Sequence, residues 1–371
     1  MKLGALLMPS HPPERPVRDG QQLDLDEIER LDRLGFEEAW IGEHFTAAWE
    51  PCPAPDLLIA QALKHTKRIH LGPLGHLLPY HHPVELAHRV AYLDHLAEGR
   101  YQLGVGVSAL PTDHQLFGLD GTGALHRQMT FEALEMMTQL WTGGASDFKG
   151  AFWSMGEPHT GLEGLGYYLR PYQSPHPPIA IAAMTPGSPN LRLAGEKGYT
   201  PVSFSISPDT KITARHWAAV EEGAARSGLK ADRRKWRIIR DVYAARTDSE
   251  ARELALGGMM GPCWRDFLLP LYVGLGLSPL LKGDPEMPDE ALTVEYLADH
   301  LWLIGSPDTV IDKIMALQEK TGGFGYLIVV SYDSKNELTQ WECSLRLLVE
   351  RVQPACALAE AKPISTVEAQ H

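Results

Sequence analysis

A chain of 371 residues with 44% hydrophobic and 22% charged residues has the make-up of a globular protein able to bury a large core. Lys plus Arg number 34 against 47 Asp plus Glu, a net charge of −13. That balance leaves no basic face, excludes nucleic acid and membrane surfaces as partners, and suits an enzyme with a small-molecule substrate. The four cysteines, Cys52, Cys263, Cys343 and Cys356, form neither a metal-ligand spacing nor a disulfide framework, so a reduced cytoplasmic setting is expected.

The apolar start, Leu3 to Met8, is too brief for an export signal and ends at Pro9-Ser10-His11-Pro12-Pro13, so it reads as a first strand. No stretch is long enough to span a bilayer. Leu25, Ile28, Leu31 and Leu34 form a helical stripe stopped by Gly35. The apolar run Glu38 to Gly42 is a second strand that halts at Glu43-His44-Phe45. A histidine at such an exit is either held for chemistry at a mouth or ties a loop to the rim. A loop with Trp49 and Cys52 leads to a helix from Asp56 to Lys64. The third strand, Ile69 to Leu74, opens into Gly75-His76-Leu77-Leu78-Pro79-Tyr80-His81-His82-Pro83. A helix from Val84 to Leu96, a fourth strand from Arg100 to Val107, and a loop with Ser108, Asp113 and Phe117 follow. The helix Arg127 to Trp141 carries its apolar stripe on Phe131, Leu134, Met137 and Trp141.

Residues 143–175 lack a period and read as an insertion. Ile179 to Ala183 is the fifth strand, and Thr185-Pro186-Gly187-Ser188-Pro189 starts the next helix. The sixth strand is Tyr199 to Phe204, followed by a helix from Ile212 to Arg226; the seventh strand is Ile238 to Ala245. Residues 257–300 form a second insertion. Ser306 caps a helix from Pro307 to Thr321, Tyr326 to Val330 is the eighth strand, and Leu338 to Val352 is the last helix. Residues 1–358 are expected to be one domain, and 359–371 a loosely held tail.

Eight strands alternating with helices predict an α/β fold, a (β/α)8 TIM barrel with its insertions at the C-terminal mouth. A doubly wound sheet would need a nucleotide fingerprint after the first strand, and Met8 to Pro13 is not one. In a barrel, His44, Gly75, His76, Ser108, Met184, Thr185, Ser205 and Ser331 converge on one mouth. The Thr185 to Ser188 turn either binds an anion at a helix N-terminus or simply caps the helix. Gly104-Val105-Gly106 either lets a ligand approach the backbone or eases packing, and Leu74-Gly75 either admits a flat ring or makes a tight turn. Histidines crowd positions 65 to 95, yet no acid joins His76, His81 and His82 at a zinc-motif spacing, so no metal is expected. No nucleophile elbow is present.

Gly42-Glu43-His44-Phe45, the run Leu78 to Ala87, Leu93-Asp94-His95-Leu96-Ala97-Glu98-Gly99-Arg100, Arg127 with Glu132 to Glu135, Arg170 to Pro178, and Gly305-Ser306-Pro307 stand in an order and spacing that resemble one family. It is the bacterial luciferase-like flavin monooxygenases, on the branch of luciferase subunits and limonene monooxygenase-like proteins. The resemblance spans nearly the whole chain. It implies a barrel that binds reduced FMN at its mouth, supplied by a separate flavin reductase, commonly in a homodimer. O2 would add at the flavin C4a to give a (hydro)peroxide that oxygenates a largely apolar small organic substrate. His44 falls on the family's catalytic histidine, Leu74 and Gly75 on a peptide packed against the flavin ring, and Met184, Thr185, Gly187 and Ser188 on the stretch holding phosphate and ring edge. Luciferase subunits carry a phosphate-gripping arginine where this chain has Val107, followed by Ser108, which leaves Arg127 as a substitute or as a helix-start ion-pair partner. Two other functions fit the same barrel: an F420-dependent hydride-transfer enzyme and a non-catalytic flavin-binding protein.

Overall fold

The computed structural model describes residues 1–119, 123–144, 146–159 and 161–360. Of the expected tail, residues 361–371 lie outside them. Eight parallel strands form the barrel in chain order: β1 (Lys2–Leu7), β2 (Glu38–Ile41), β3 (His70–Pro73), β4 (Leu103–Gly106), β5 (Ile179–Ala183), β6 (Thr200–Phe204), β7 (Arg237–Arg240) and β8 (Tyr326–Ser331). β8 returns to β1, pairing Lys2 with Tyr326 through Leu7 with Ser331. Between β3 and β4 the ring closes where Gln102 N–H donates to the Leu71 carbonyl at 3.0 Å, and again where His76–Leu77 pairs with Val105 and Gly106. The expected barrel is therefore the observed one.

Around it lie α1 (Val17–Leu34), α2 (Pro55–Ala62), α3 (Pro83–Leu96), α4 (Gly123–Gly143), α5 (Pro189–Lys197), α6 (Thr210–Arg226), α7 (Pro307–Thr321) and α8 (Leu338–Leu347). Their ends follow local chemistry. Gly35 and Gly322 stop α1 and α7 in the left-handed conformation, and Ser306 caps α7 by accepting from Thr309 N–H.

Strand periodicity divides the core in two. Leu6, Trp40, Leu74, Ala180, Val202, Ile239 and Ile328 fill the barrel interior. Their neighbours, such as Ala39, Ile41, Leu71, Ile238 and Leu327, face the helices and join Ile28 and Leu31 of α1 in the outer core. Below the interior plug, Glu38 and Arg237 form a buried ion pair at 2.9 Å that closes the barrel floor.

Three expectations change. The seventh strand does not run unbroken to Ala245. It ends at Arg240, and Val242–Ala244 pairs instead with Leu303–Gly305 outside the barrel sheet, with Leu303 N–H donating to the Asp241 carbonyl. The 257–300 insertion is mostly helical: Met260–Cys263, a π-helical turn over Trp264–Leu268, then Leu269–Gly274, Ser278–Leu281 and Val294–His300. The loop after β4 contains a helix, Pro111–Leu116. In the 143–175 insertion, Phe148–Lys149 and Ser154–Met155 make a small hairpin, whose turn donates the N–H groups of Ala151, Phe152 and Trp153 to the Glu132 carboxylate. No helix among the described residues is long and apolar enough to cross a membrane.

Candidate active site at the barrel mouth

His44 stands at the exit of β2, two residues beyond Gly42 and four beyond the inward-facing Trp40, so strand alternation aims it at the mouth. Its backbone N–H donates to the Cys52 carbonyl at 3.0 Å, fixing the turn. The imidazole lies between two acids from different elements. Nε2 is 3.4 Å from Glu50 Oε2, and Nδ1 is 3.6 Å from Asp113 Oδ2 on the Pro111–Leu116 helix. Burial pushes the imidazole towards neutrality, but the Asp113, Glu50 and Glu43 carboxylates outweigh it, so His44 binds its proton more tightly than a free histidine. Burial also acts on Asp113, yet His44 and the Thr46 hydroxyl keep that carboxyl below its ordinary range. Glu50 is fully buried and holds its proton more tightly than usual, although His44 and a 3.1 Å hydrogen bond from the Ser10 hydroxyl oppose this. The group is thus a proton-holding site with acceptors on both sides of one imidazole.

Next to it, β3 leaves the barrel through a cis Leu74–Gly75 peptide. Only glycine fits there. A Cβ on Gly75 would lie 2.5 Å from the carbonyl carbon of Val105 and 2.7 Å from Gly106 N, so the turn is laid directly on β4. Val107 and Ser108 follow β4; Ser108 has φ of 66° and accepts a 2.8 Å hydrogen bond from the Tyr80 hydroxyl. Phe45, Tyr80 and Phe117 build an aromatic wall, with Tyr80 and Phe117 stacked at 4.3 Å between centroids.

At the β5 exit the chain passes Met184 and Thr185 and enters α5. Gly187, at φ of 66°, makes the turn, with open space where a Cβ would be. Ser188 caps α5 by accepting from Asn190 N–H at 3.2 Å, which leaves its hydroxyl proton available. Arg127 from α4 donates Nε to Asn190 Oδ1 at 3.3 Å and has no carboxylate partner among the described residues. A helix N-terminus, a hydroxyl and a guanidinium at one place fit a phosphate monoester. His216, against the Met184–Thr185 backbone, is pushed down to about 4 by burial and adds no charge there.

Not every strand-exit residue faces the mouth. Ser205 bonds Thr213 on α6 at 2.7 Å, and Ser331 donates to Glu27 on α1 at 3.0 Å. Both face the helices because they are one residue out of step with the interior set. His76 also turns away, towards Glu43 at 2.7 Å, and His81 meets the same carboxylate at 2.6 Å. Spacing along the chain had shown no acid beside these histidines; it arrives from β2. On the far side of the mouth, Trp264 Nε1 at 3.1 Å and the Tyr332 hydroxyl both donate to Asp241, and Trp49 stacks on Phe267 at 5.8 Å. Glu50, Asp241 and Tyr332 were not foreseen, since no local pattern marks them.

A parallel barrel with a protonatable histidine and a phosphate-type cradle at one mouth defines a class, and sequence comparison supplies its name. Residues 1–323 match the luciferase-like monooxygenase family, and the chain belongs to it. It is 34% identical over 366 residues to 2,5-diketocamphane 1,2-monooxygenase 1 of Pseudomonas putida, covering 95% of this chain and 99% of that one. It is 30% identical over 354 residues to limonene 1,2-monooxygenase of Rhodococcus erythropolis, covering 95% and 85%. Among solved structures, the oxygenating constituent of 3,6-diketocamphane monooxygenase from Pseudomonas putida, a type II Baeyer-Villiger monooxygenase in complex with FMN, superposes with a TM-score of 0.88 at 32% identity, covering 95% and 98%.

Proposed function

We propose that this protein is the oxygenase of a two-component system that uses reduced FMN and O2 to put one oxygen atom into a small, largely apolar organic molecule. A cyclic ketone is the substrate class suggested by the diketocamphane enzymes it resembles. The observation that carries the reading is the shared mouth, with His44 between Glu50 and Asp113 on one side and Arg127 with the start of α5 on the other. Bound in reduced form, FMN supplies the two electrons that activate O2, one oxygen atom going to substrate and the other to water.

The chain's own groups have separate tasks in this reading. Arg127, Ser188 and the α5 backbone hold the phosphate, which removes the need for a cation at Val107. The Leu74–Gly75 turn and the Phe45, Tyr80 and Phe117 wall offer flat and apolar faces to the ring and exclude water. His44 holds and releases a proton at the reacting edge. The loop after β2, through Trp49, and the 257–300 insertion, through Phe267 and Trp264, shape the substrate side. A separate reductase delivers the reduced flavin, residues 1–358 work as one barrel domain, and two copies form a homodimer. FMN is preferred over F420 because a relative at 32% identity holds FMN.

Anaerobic titration with reduced FMN, followed by labelled O2 and a panel of cyclic ketones, tests the proposal. Flavin binding and product carrying one labelled oxygen atom are expected. No binding of reduced FMN, or hydride transfer from F420 without O2, would reject it.

A further inference from the structure

The Glu43, His76 and His81 cluster lies behind the wall of the site and is unused by the reaction described above. Its side chains are 0%, 1% and 12% exposed. One ligand atom from each lies within 4.8 Å of the others, which invites a metal reading. The surrounding hydrogen bonds speak against it. A metal-bound histidine passes its second N–H to an acceptor. Here the second nitrogen of His81, Nδ1, faces Arg89 Nη2 at 3.4 Å, and a guanidinium can only donate. The second nitrogen of His76 is buried with no partner among the described residues.

The same contacts fix the tautomers. His81 accepts at Nδ1 from Arg89, so its proton is on Nε2 and is donated to Glu43 Oε1 at 2.6 Å. The buried, unpartnered Nε2 of His76 favours a proton on Nδ1, donated to Glu43 Oε2 at 2.7 Å. Leu77 N–H adds a third donor at 3.3 Å. Burial would push the Glu43 carboxyl up, but these donors hold it down at about 2, so it stays ionised.

We propose that Glu43 is a positioning residue: through His76 it fixes the Leu74–Gly75 turn against β4, and by its buried charge it helps keep the proton on His44. The first part rests on the flavin reading; the second does not. His76 directly follows Gly75, so the Glu43 bond ties the exits of β2 and β3 at the point where a ring would lie. The His44 ring lies against Glu50 from the next loop and Asp113 from the Pro111–Leu116 helix, and the ionised Glu43 directly precedes it in the chain, so all the charged groups around it are acids.

The test is Glu43→Gln in the full chain. The amide keeps the shape, removes the charge and turns a donor towards one imidazole N–H. His44 titration, followed by NMR without flavin, should move to lower pH than in wild type. Reduced FMN should bind roughly ten- to a hundredfold more weakly, as expected for a lost hydrogen bond to a charged group. An unchanged His44 titration overturns the proposal, as does stoichiometric zinc in the purified wild type that the variant lacks. If wild type itself fails to bind reduced FMN, the flavin reading falls while the His44 titration still decides the role of the Glu43 charge. Should the variant not fold, His81→Ala at the rim replaces it. Weaker FMN binding with an unmoved His44 titration is then expected, and unchanged affinity overturns the linkage.

Discussion

The barrel buries charge at both ends, but on opposite terms. At the floor, Glu38 accepts from Trp40 at 2.8 Å, from Arg237 at 2.9 and 3.2 Å and from Gln102 at 3.4 Å, while the Arg237 guanidinium lies 3.9 Å from the Tyr326 ring centre. One negative charge meets one positive charge, and neither carboxylate oxygen lacks a donor. At the mouth, a single imidazole lies between Glu50 and Asp113 with the Glu43 charge behind it, and His44 Nδ1 and Asp113 Oδ2 have no hydrogen-bond partner among the described residues. Matched and satisfied polar groups hold a fold; unmatched, under-bonded ones are kept where protons or ligands must come and go.

This contrast is broken most severely by His44→Ala. Loss of a positioned proton carrier should slow oxygenation about 10²- to 10⁴-fold while leaving FMN affinity within about twofold. Single-turnover kinetics and a flavin titration separate the two effects. Glu38→Gln should do the reverse. Removing one partner of a buried pair costs roughly 3–5 kcal/mol of stability, because the Arg237 charge is left uncompensated. Denaturant unfolding would record the loss, and turnover per folded molecule should be nearly unchanged. A Glu38→Gln variant that is stable but inactive would erase the distinction between floor and mouth.

Arg127→Met sharpens the picture at the phosphate end. Its guanidinium bonds Asn190 in the first turn of α5, so its loss should weaken reduced FMN about tenfold or more. Riboflavin, which has no phosphate, should bind equally to variant and wild type. Equal weakening of both ligands would move the phosphate elsewhere.

The sequence made the floor and frame easier to read than the mouth. Short apolar runs between helical stripes are local signals, so all eight strands and the Gly35 and Ser306 boundaries were visible. His44 was visible too, because a strand ends just before it. Its partners were not: Glu50 and Asp113 reach it from separate loops, and Glu43 meets His76 and His81 across two strand exits. Such contacts leave no periodic trace. Ser205 and Ser331 were assigned to the wrong face because a one-residue offset reverses a strand side chain. Prolines hid the helices of the 257–300 insertion: Pro279 stands in the first turn of Ser278–Leu281, where it is tolerated, and Pro270 lies inside the continuous run Met260–Gly274, just after its π-helical turn.

Between the two extremes lies His11, on the loop after β1, and it tests whether matching or titration governs the rim. Its ring bonds Asp333 at 2.9 Å and Asp24 at 3.2 Å, and Arg15 joins Asp333, so two cations meet two acids as at the floor. Yet one of those cations titrates. Burial pushes His11 down, but both aspartates raise it from 6.5 to about 9. A raised histidine stabilises the folded state fully below pH 6.5, and the contribution disappears as the pH climbs through about 9. Wild type should therefore lose stability between those limits, by roughly 1–2 kcal/mol once the desolvation of both aspartates is set against the pairing. His11→Asn should be less stable at pH 6.5 and show a flatter profile over the same window. Urea midpoints at pH 6.5 and 9 decide it: parallel profiles would mean that His11 does not carry the proton, and that the rim is held by Arg15 and Asp333 alone.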